Sequence, residues 1–268
     1  MNKLPLSILS LLALAALDFA SVPVTLETTA PAPSLYLMAD IQVEVARVPE
    51  YEAAFKALIA ALRDADFPEV FDTYATDDSR YYVVYGLPKG YSSVDGLQAA
   101  WRAAANRIGP AKFQALHAGM TGCELGRVLR FWMFRPDISY LPQPERLKPE
   151  EFGYYTWDYV WLRPGKEAEF EALNREWMAL SAAGKSRDPF LTYQGGYGNE
   201  EPVYVWFEYG RSAADYAQAE ERFWKSLGDA GAALSRRTRG LIKRTETKTG
   251  RYRPDLSYAL RAVPGKAA

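Results

Sequence analysis

Two residue types that build metal and redox sites are almost missing from this chain. Its 268 residues include one cysteine, Cys123, and one histidine, His117. A single cysteine excludes an intrachain disulfide, a cysteine-bound zinc site and an iron–sulfur cluster, and a single histidine excludes a multi-histidine metal site. We therefore expect a fold that stands on its core, with no metal and no cofactor.

An excess of charge of either sign is also missing. The chain has 32 Lys and Arg residues against 33 Asp and Glu residues, and no basic run lies in a segment with strand or helix character. This balance argues against nucleic acid or an anionic membrane as a partner. Apolar residues make up 49% of the chain and aromatic residues 14%, which is enough for a large core. The composition therefore predicts a globular protein.

The first 20 residues have the pattern of a secretory signal peptide. Lys3 precedes an apolar run, Leu4 to Leu17, that is shorter than the roughly 20 residues of a membrane-spanning helix. The alternative is an uncleaved membrane anchor. Residues 21–35 are rich in Pro, Thr and Ala and are typical of a flexible linker. We predict a periplasmic or secreted protein without stable membrane association after cleavage.

The most informative pattern is a repeated phrase. "RPDISY" occupies residues 135–140 and "RPDLSY" residues 253–258. Two further matches precede them in the same order: "PEYEAAFKAL" with "PGKEAEFEAL", which pairs Glu52 with Glu167, and "YYVVYG" with "VYVWFEYG". The three offsets are 115, 122 and 118 residues, and their similarity indicates an internal duplication.

The duplication sets the predicted domain organisation. Each copy reads as strand, helix, strand, strand, helix, strand, which is the ferredoxin-like βαββαβ unit. We predict an α+β fold of two tandem ferredoxin-like repeats whose sheets pack face to face as an intrachain α/β barrel. The predicted segments are a signal peptide (1–20), a linker (21–35), repeat 1 (36–140), a Pro-rich connector (141–152), repeat 2 (153–260) and a tail (261–268).

The order of elements resembles the dimeric α/β-barrel superfamily, specifically antibiotic biosynthesis monooxygenase-like and NIPSNAP-like proteins in a fused form. The segment that carries the resemblance is a strand followed by "RPGKEAEFEALNREW" (163–177), a hairpin and a helix. The superfamily includes cofactor-free oxygenases, isomerases, haem proteins and proteins without known activity. The resemblance implies a ligand pocket between the sheet and the helices of each unit. It also implies a monomer with an internal pseudo-two-fold, because the fused copies replace the dimer.

Two carboxylates in apolar strands are the candidate catalytic residues. Asp158 lies within "YYTWDYVWL" and Glu208 within "VWFEYG". Burial of a carboxylate is costly unless it is paired or protonated, so either residue could be a general base with a raised pKa. The alternative is pairing with an arginine or exposure at a strand end. With such a base, the chain would be a cofactor-independent monooxygenase or isomerase.

The candidate ligand pocket comes from the aromatic residues of the second copy. Tyr and Trp side chains carry polar tips, and a core built from them favours a cavity for a flat, partly apolar ligand. The alternative is packing between sheets. The predicted pocket residues are Trp157, Tyr159, Tyr193, Tyr204 and Trp206. A binding protein of this kind, without assigned catalysis, is the first functional hypothesis.

His117 is a further candidate for the ligand pocket. The helix "WRAAANRIGPAKFQALHAGM" (101–120) resembles the helix of haem-degrading proteins, with Trp101, Phe113 and His117 in the corresponding order. The resemblance implies haem binding through His117 as a second alternative function. A single histidine near a helix end, where the helix dipole favours it, is the simpler interpretation.

The repeated phrase itself has a structural interpretation. Pro fixes φ, Asp accepts backbone hydrogen bonds in a turn, and Tyr anchors the chain after the last strand of each copy. The alternative is that Arg135 and Arg253 bind an anion. We expect the structural role, because both copies retain the whole phrase.

Overall fold

The computed structural model describes residues 34–259. The predicted signal peptide, the predicted linker up to residue 33 and the predicted tail from 261 lie outside the described residues. None of the described helices is long and apolar enough to cross a membrane.

The two copies fold into the predicted order of elements. Gly109, with φ +94°, and Pro110 divide the second helix of the first copy into α2 and α3. The first copy contains β1 Ser34–Val43, α1 Val48–Asp64, β2 Asp72–Thr76, β3 Arg80–Leu87, α2 Ser93–Ile108, α3 Pro110–Thr121 and β4 Glu124–Phe134. The second contains β5 Tyr154–Leu162, α4 Glu167–Ala183, β6 Leu191–Gly195, β7 Val203–Gly210, α5 Ala213–Leu241 and β8 Ile242–Tyr252. The strands form a closed barrel in the order β1-β3-β2-β8-β5-β7-β6-β4, which confirms the predicted fold class.

The compact units do not coincide with the two copies. Among the described residues, the first unit contains Leu35–Leu129 together with residues from Arg253 onward, and the second contains Arg130–Tyr252. The unit built on the first copy therefore includes the second RPD phrase. The unit built on the second copy includes the first.

In the first unit, Arg253 joins the end of β8 to helix α1. Its Nη2 donates to Glu52 Oε2 at 2.7 Å, and its Nε and Nη2 bond both carboxylate oxygens of Asp255 at 2.8 and 2.9 Å. The Tyr81 hydroxyl also donates to Glu52, at 2.7 Å. We call this arrangement of arginine, two carboxylates and tyrosine the RPD clasp.

The second unit contains an equivalent RPD clasp. Arg135 donates to both oxygens of Glu171 on α4, at 2.6 and 2.9 Å, and to Asp137 at 2.8 Å. The Tyr204 hydroxyl donates to Glu171 at 2.9 Å. Both arginines are fully engaged by carboxylates, and this pairing supports the structural interpretation of the phrase.

The end of the phrase also has the same contacts in both units. Tyr258 donates its hydroxyl proton to the Phe67 carbonyl at 3.0 Å, and Tyr140 donates to the Ser186 carbonyl at 2.8 Å. The serine before each tyrosine accepts a backbone N–H from a buried threonine, Thr73 in one unit and Thr192 in the other. Four of the six residues of the phrase, Arg, Asp, Ser and Tyr, thus make side-chain contacts that hold the segment after the last strand of each copy.

The RPD clasps correct one pairing made from the sequence. Glu52 corresponds to Glu171 and not to Glu167, because each is the partner of the clasp arginine and tyrosine. The preceding residues agree, since Tyr51–Tyr81 and Phe170–Tyr204 both have ring centroids 4.8 Å apart. The sequence pairing was wrong by one helical turn. Apolar residues recur at a spacing of about one turn along an amphipathic helix, and this periodicity allows an alignment to slip by that amount.

Candidate functional site

Strands β5 and β7 of the second unit present one face to the helices. Val160, Leu162 and Tyr204 belong to a buried core cluster with residues of α4 and α5. Side chains alternate along a strand, so Asp158 and Glu208 lie on this same face. The odd-numbered residues of both strands lie on the opposite face.

The structure separates the five predicted pocket aromatics between these two faces. Tyr204 and Trp206 are on the helix face, where both rings pack against Phe170 at 4.8 and 5.6 Å. The other three lie on the opposite face, in a dense set of aromatic contacts. These contacts are Trp157 with Phe207 at 5.5 Å, Tyr159 with Trp132 at 5.8 Å and Tyr193 with Phe134 at 5.3 Å. The five residues therefore do not line one common pocket.

A different set of residues in the second unit encloses a small pocket between β7 and α5. Its volume is about 30 Å³, and at roughly 10–15 Å³ per water it holds two or three water molecules. Of the predicted site residues, Glu208 lines it. We call it the carboxylate pocket; its lining residues are Asp188, Pro189, Phe190, Glu208, Tyr209, Tyr216, Ala219, Glu220 and Phe223.

Glu208 lies in this pocket without a cationic partner. The Tyr216 hydroxyl donates to Glu208 Oε2 at 2.5 Å, and no other hydrogen bond or ion pair to Glu208 is present among residues 34–259. Burial, followed by the nearby charge of Glu220, raises the pKa of Glu208 to about 8, against the opposing effect of the Tyr216 hydrogen bond. At neutral pH the carboxyl group is mostly protonated.

The two other carboxylates of the pocket are held differently. Burial also raises the pKa of Glu220, whose Oε2 accepts the indole N–H of Trp224 at 3.1 Å. Asp188 is paired with Arg146 at 2.5 Å, and Arg146 also binds Asp215 at the start of α5 at 2.8 Å. Arg146 therefore neutralises Asp188 and links the chain before β6 to α5.

Asp158 lies on the same face of the sheet but outside the pocket lining. It accepts a short hydrogen bond from the Thr247 hydroxyl on β8. Burial raises the pKa of Asp158, and the Thr247 hydrogen bond opposes this shift because it favours the charged form. Asp158 contributes negative charge near Glu208.

The two copies differ in the polarity of the sheet face that carries Glu208. Thr156 is the cross-strand neighbour of Glu208, and in the first copy the corresponding pair is Leu37 and Tyr85. By the same register Asp158 corresponds to Ala39. Three positions that are polar in the second copy are thus occupied by Leu, Ala and Tyr in the first.

The two copies also differ in the packing around Tyr85 and its counterpart, Glu208. In the first unit the Tyr85 ring packs on Phe71 at 5.1 Å. In the second unit Phe190 and Glu208 both line the pocket. Thr156 is 2% exposed, and although its hydroxyl is near that of Tyr216, the geometry falls short of a hydrogen bond and leaves Thr156 Oγ1 without a partner. A buried hydroxyl without a partner is costly, and Leu37 at the corresponding position of the first copy avoids this cost.

His117 lies on α3 in the first unit and does not line the carboxylate pocket. Its Nε2 is buried without a hydrogen-bond partner, and burial, aided by Arg127, lowers its pKa to about 4. Trp101 and Phe113 are each 3% exposed and pack with ring centroids 6.3 Å apart, so neither offers a free face to a flat macrocycle. Haem binding stays a prediction, in which Nε2 of the neutral His117 would be the iron ligand. Among the residues described, no group of three or more His, Cys, Asp or Glu side chains could hold a metal ion.

Of the nine residues that line the carboxylate pocket, sequence reasoning predicted Glu208 and missed the other eight. Tyr216 and Glu220 are four residues apart and share one helix face with Phe223, a spacing that marks a polar spot on the buried face of α5. Arg146 lies in the segment interpreted as a connector, and its role with Asp188 depends on contacts that no local pattern encodes.

Comparisons with known proteins find similarity in the fold. No protein-family model matches the sequence, and no curated protein matches it significantly. A crystal structure of an anthrone oxidase-like protein superposes with a TM-score of 0.57 at 13% identity, covering 84% of this chain and 93% of that one. A proposed monooxygenase from Fusobacterium nucleatum gives 0.50 at 13% identity, covering 84% and 94%. The chain shares its fold with these two structures, and the resemblance predicted from the sequence is confirmed at the level of fold.

Proposed function

We propose that this protein binds a small, partly apolar molecule with an acidic C–H or O–H group in the carboxylate pocket, and that Glu208 accepts the proton. The observation that carries the proposal is the environment of Glu208: a buried carboxyl group that lines a pocket, faces a tyrosine and has no arginine or lysine partner.

The raised pKa gives Glu208 the properties of a general base. A carboxylate with a pKa of about 8 is a stronger base than an ordinary glutamate, and at pH 7 its ionisation costs about 1.4 kcal/mol. Tyr216 occupies Oε2, so Oε1 is the atom available to a ligand. The negative charge of Glu220 disfavours ionisation of Glu208 and so contributes to its raised pKa.

The size of the pocket requires a movement of α5 for any ligand with a ring. Four lining residues lie on the segment of α5 before Gly228, where the helix is broken by φ 52° and ψ −139°. In this segment only Ala219 and Leu227 are buried, whereas four residues are buried after the break. Sparse burial favours low local stability. We infer that this segment moves outward to admit the ligand.

Two reactions are open to a substrate anion in such a site. In an isomerisation, Glu208 returns the proton to a different carbon. In a cofactor-independent oxygenation, the carbanion of a CH₂ group adds to O₂, and a C–O bond forms. The resulting peroxide takes the proton back from Glu208 and loses water, which leaves a carbonyl group. One O₂ is consumed and one water is released, so no further reductant is needed.

Binding and reaction are tested separately. The binding probe is 1-naphthol, followed by saturation-transfer NMR, and the reaction probe is anthrone, followed by O₂ uptake. We expect naphthol binding, and O₂ uptake that rises with pH toward a plateau above pH 8. Glu208→Gln is expected to lower uptake by about 100-fold or more, and Glu176→Gln, an exposed glutamate paired with Arg237, is the matched control. Binding without uptake would retain the binding function and remove oxygenation. The absence of both naphthol binding and O₂ uptake would contradict the proposal.

We also propose that the protein is exported and monomeric. The pattern of residues 1–20 supports export, and the presence of both copies in one chain supports a monomer. Fractionation of cells that express the full chain, followed by light scattering of the mature protein, tests both. Retention in the cytoplasm or a stable dimer would contradict them.

A further inference from the structure

We propose that a second site, on the outer side of α5, binds an aromatic carboxylate. The site is a groove with a volume of about 340 Å³, lined by Trp224, Ala232, Ser235, Arg236 and Arg239. This volume lies within the range of small-molecule sites, about 300–1,000 Å³. We call it the kink groove. The inference does not depend on the function proposed for the carboxylate pocket.

The groove spans the break in α5. Gly228 has φ +52°, a conformation that residues with a side chain rarely adopt, and no atom lies within 4 Å of the position its Cβ would take. The glycine is therefore required by the backbone and not by crowding. The break separates Trp224 from the four other lining residues, so the helix presents a concave surface there.

Trp224 is an exposed aromatic surface whose ring is oriented by neighbouring side chains. It is 43% exposed, although most large rings of the protein are buried. Its indole N–H donates to Glu220 at 3.1 Å, and its ring meets Trp177 edge-on at 5.7 Å. Trp177 is itself held by a hydrogen bond to Thr238 at 3.1 Å. While the segment of α5 before Gly228 is packed as in this structure, these contacts orient the ring, so it loses little conformational entropy when a flat ligand stacks on it.

Two arginines supply positive charge beside this ring. Arg236 and Arg239 are three residues apart, hence neighbours on one helix face, and both are exposed. Neither makes an ion pair within the described part of the chain, whereas Arg237 between them is paired with Glu176 at 2.5 Å. Guanidinium groups bind carboxylates through paired N–H donors. An aromatic ring at Trp224 and a carboxylate at the arginines satisfy both features of the groove together.

The test uses 2-naphthoate as the ligand, its neutral amide as the comparison and isothermal titration calorimetry on the full chain. We expect naphthoate to bind and the amide to bind at least about 10-fold more weakly, since the amide lacks the charge that the arginines recognise. The double variant Arg236→Gln/Arg239→Gln should lose about 10-fold or more in naphthoate affinity. Arg222→Gln removes an exposed arginine of the same helix that does not line the groove, and it should leave the affinity unchanged.

Two further variants locate the bound naphthoate on the protein. Trp224→Ala should weaken naphthoate binding by several-fold through loss of stacking. Glu208→Gln should have no effect, because Glu208 lies in the carboxylate pocket and not in the groove. Absence of naphthoate binding would overturn the proposal. An equal loss in Arg222→Gln and in the double variant, or a loss in Glu208→Gln, would overturn it as well.

Discussion

Replacement of Glu208 by Gln should stabilise the protein at neutral and alkaline pH. Gln has nearly the shape of a protonated Glu and can accept the same hydrogen bond from Tyr216, but it cannot ionise. The native glutamate keeps its proton up to a pKa of about 8, whereas in the unfolded chain it would lose the proton at its ordinary value of 4.5. Between these values the folded state binds more protons, so native stability falls as pH rises.

The magnitude follows from the pKa difference. Subtracting 4.5 from 8 gives 3.5 units, which at 1.36 kcal/mol per unit corresponds to an upper limit of about 5 kcal/mol above pH 8. Part of the Glu208 side chain is accessible to solvent through the pocket, and Glu220 shares the effect. Both reduce the difference, and we expect a gain of about 2–3 kcal/mol for Glu208→Gln at pH 8. Below pH 4.5 the gain should vanish.

The assay is urea unfolding, followed by tryptophan fluorescence and circular dichroism between pH 4 and pH 9. Glu171→Gln is the matched control, because Glu171 also accepts a tyrosine hydroxyl but is paired with Arg135. Arg135 holds the pKa of Glu171 below its usual range, so this variant should lose stability at neutral pH. Equal unfolding midpoints of Glu208→Gln and the native protein across the whole pH range would refute the reasoning about Glu208.

Three other outcomes follow from the contacts described above. Arg135→Gln and Arg253→Gln should each destabilise the protein by about 2–3 kcal/mol, because each leaves the largely buried glutamate of an RPD clasp, Glu171 or Glu52, without its arginine. The clasp aspartates keep a second cation, Arg175 for Asp137 and Lys56 for Asp255. Clearly unequal losses in urea unfolding would show that the clasps are not equivalent. Arg146→Gln should raise the pKa of Glu208 further, since Asp188 loses its cation. A ¹³C-carboxyl NMR titration measures this shift, with Arg146→Lys as the charge-preserving control, and a fall would contradict it. Haemin should give the same Soret spectrum with native protein and with His117→Ala; a difference would support haem ligation.

The duplication and the fold class were accessible from the sequence. The RPD phrase, the order of strand and helix patterns, and the connector between copies depend on local chemistry and on periodicity, which neighbouring residues in the chain determine. Glu208 could also be identified this way, because a carboxylate within an apolar strand is conspicuous wherever the strand lies. The helix pairing was less secure, since a helical pattern repeats with every turn.

The tertiary structure decided the composition of the site. Strand alternation separates Trp157, Tyr159 and Tyr193 from Tyr204, and which parity faces the helices depends on packing partners far away in the chain. The pairing of Arg146 with Asp188 and Asp215, and the approach of Tyr216 to Glu208, join segments whose sequences give no sign of each other. The sequence by itself determined two copies of one unit. Three-dimensional packing placed Glu208 beside Tyr216 and Glu220 of α5 and so formed the carboxylate pocket in the second copy, whereas the first copy has Tyr85 at the position of Glu208.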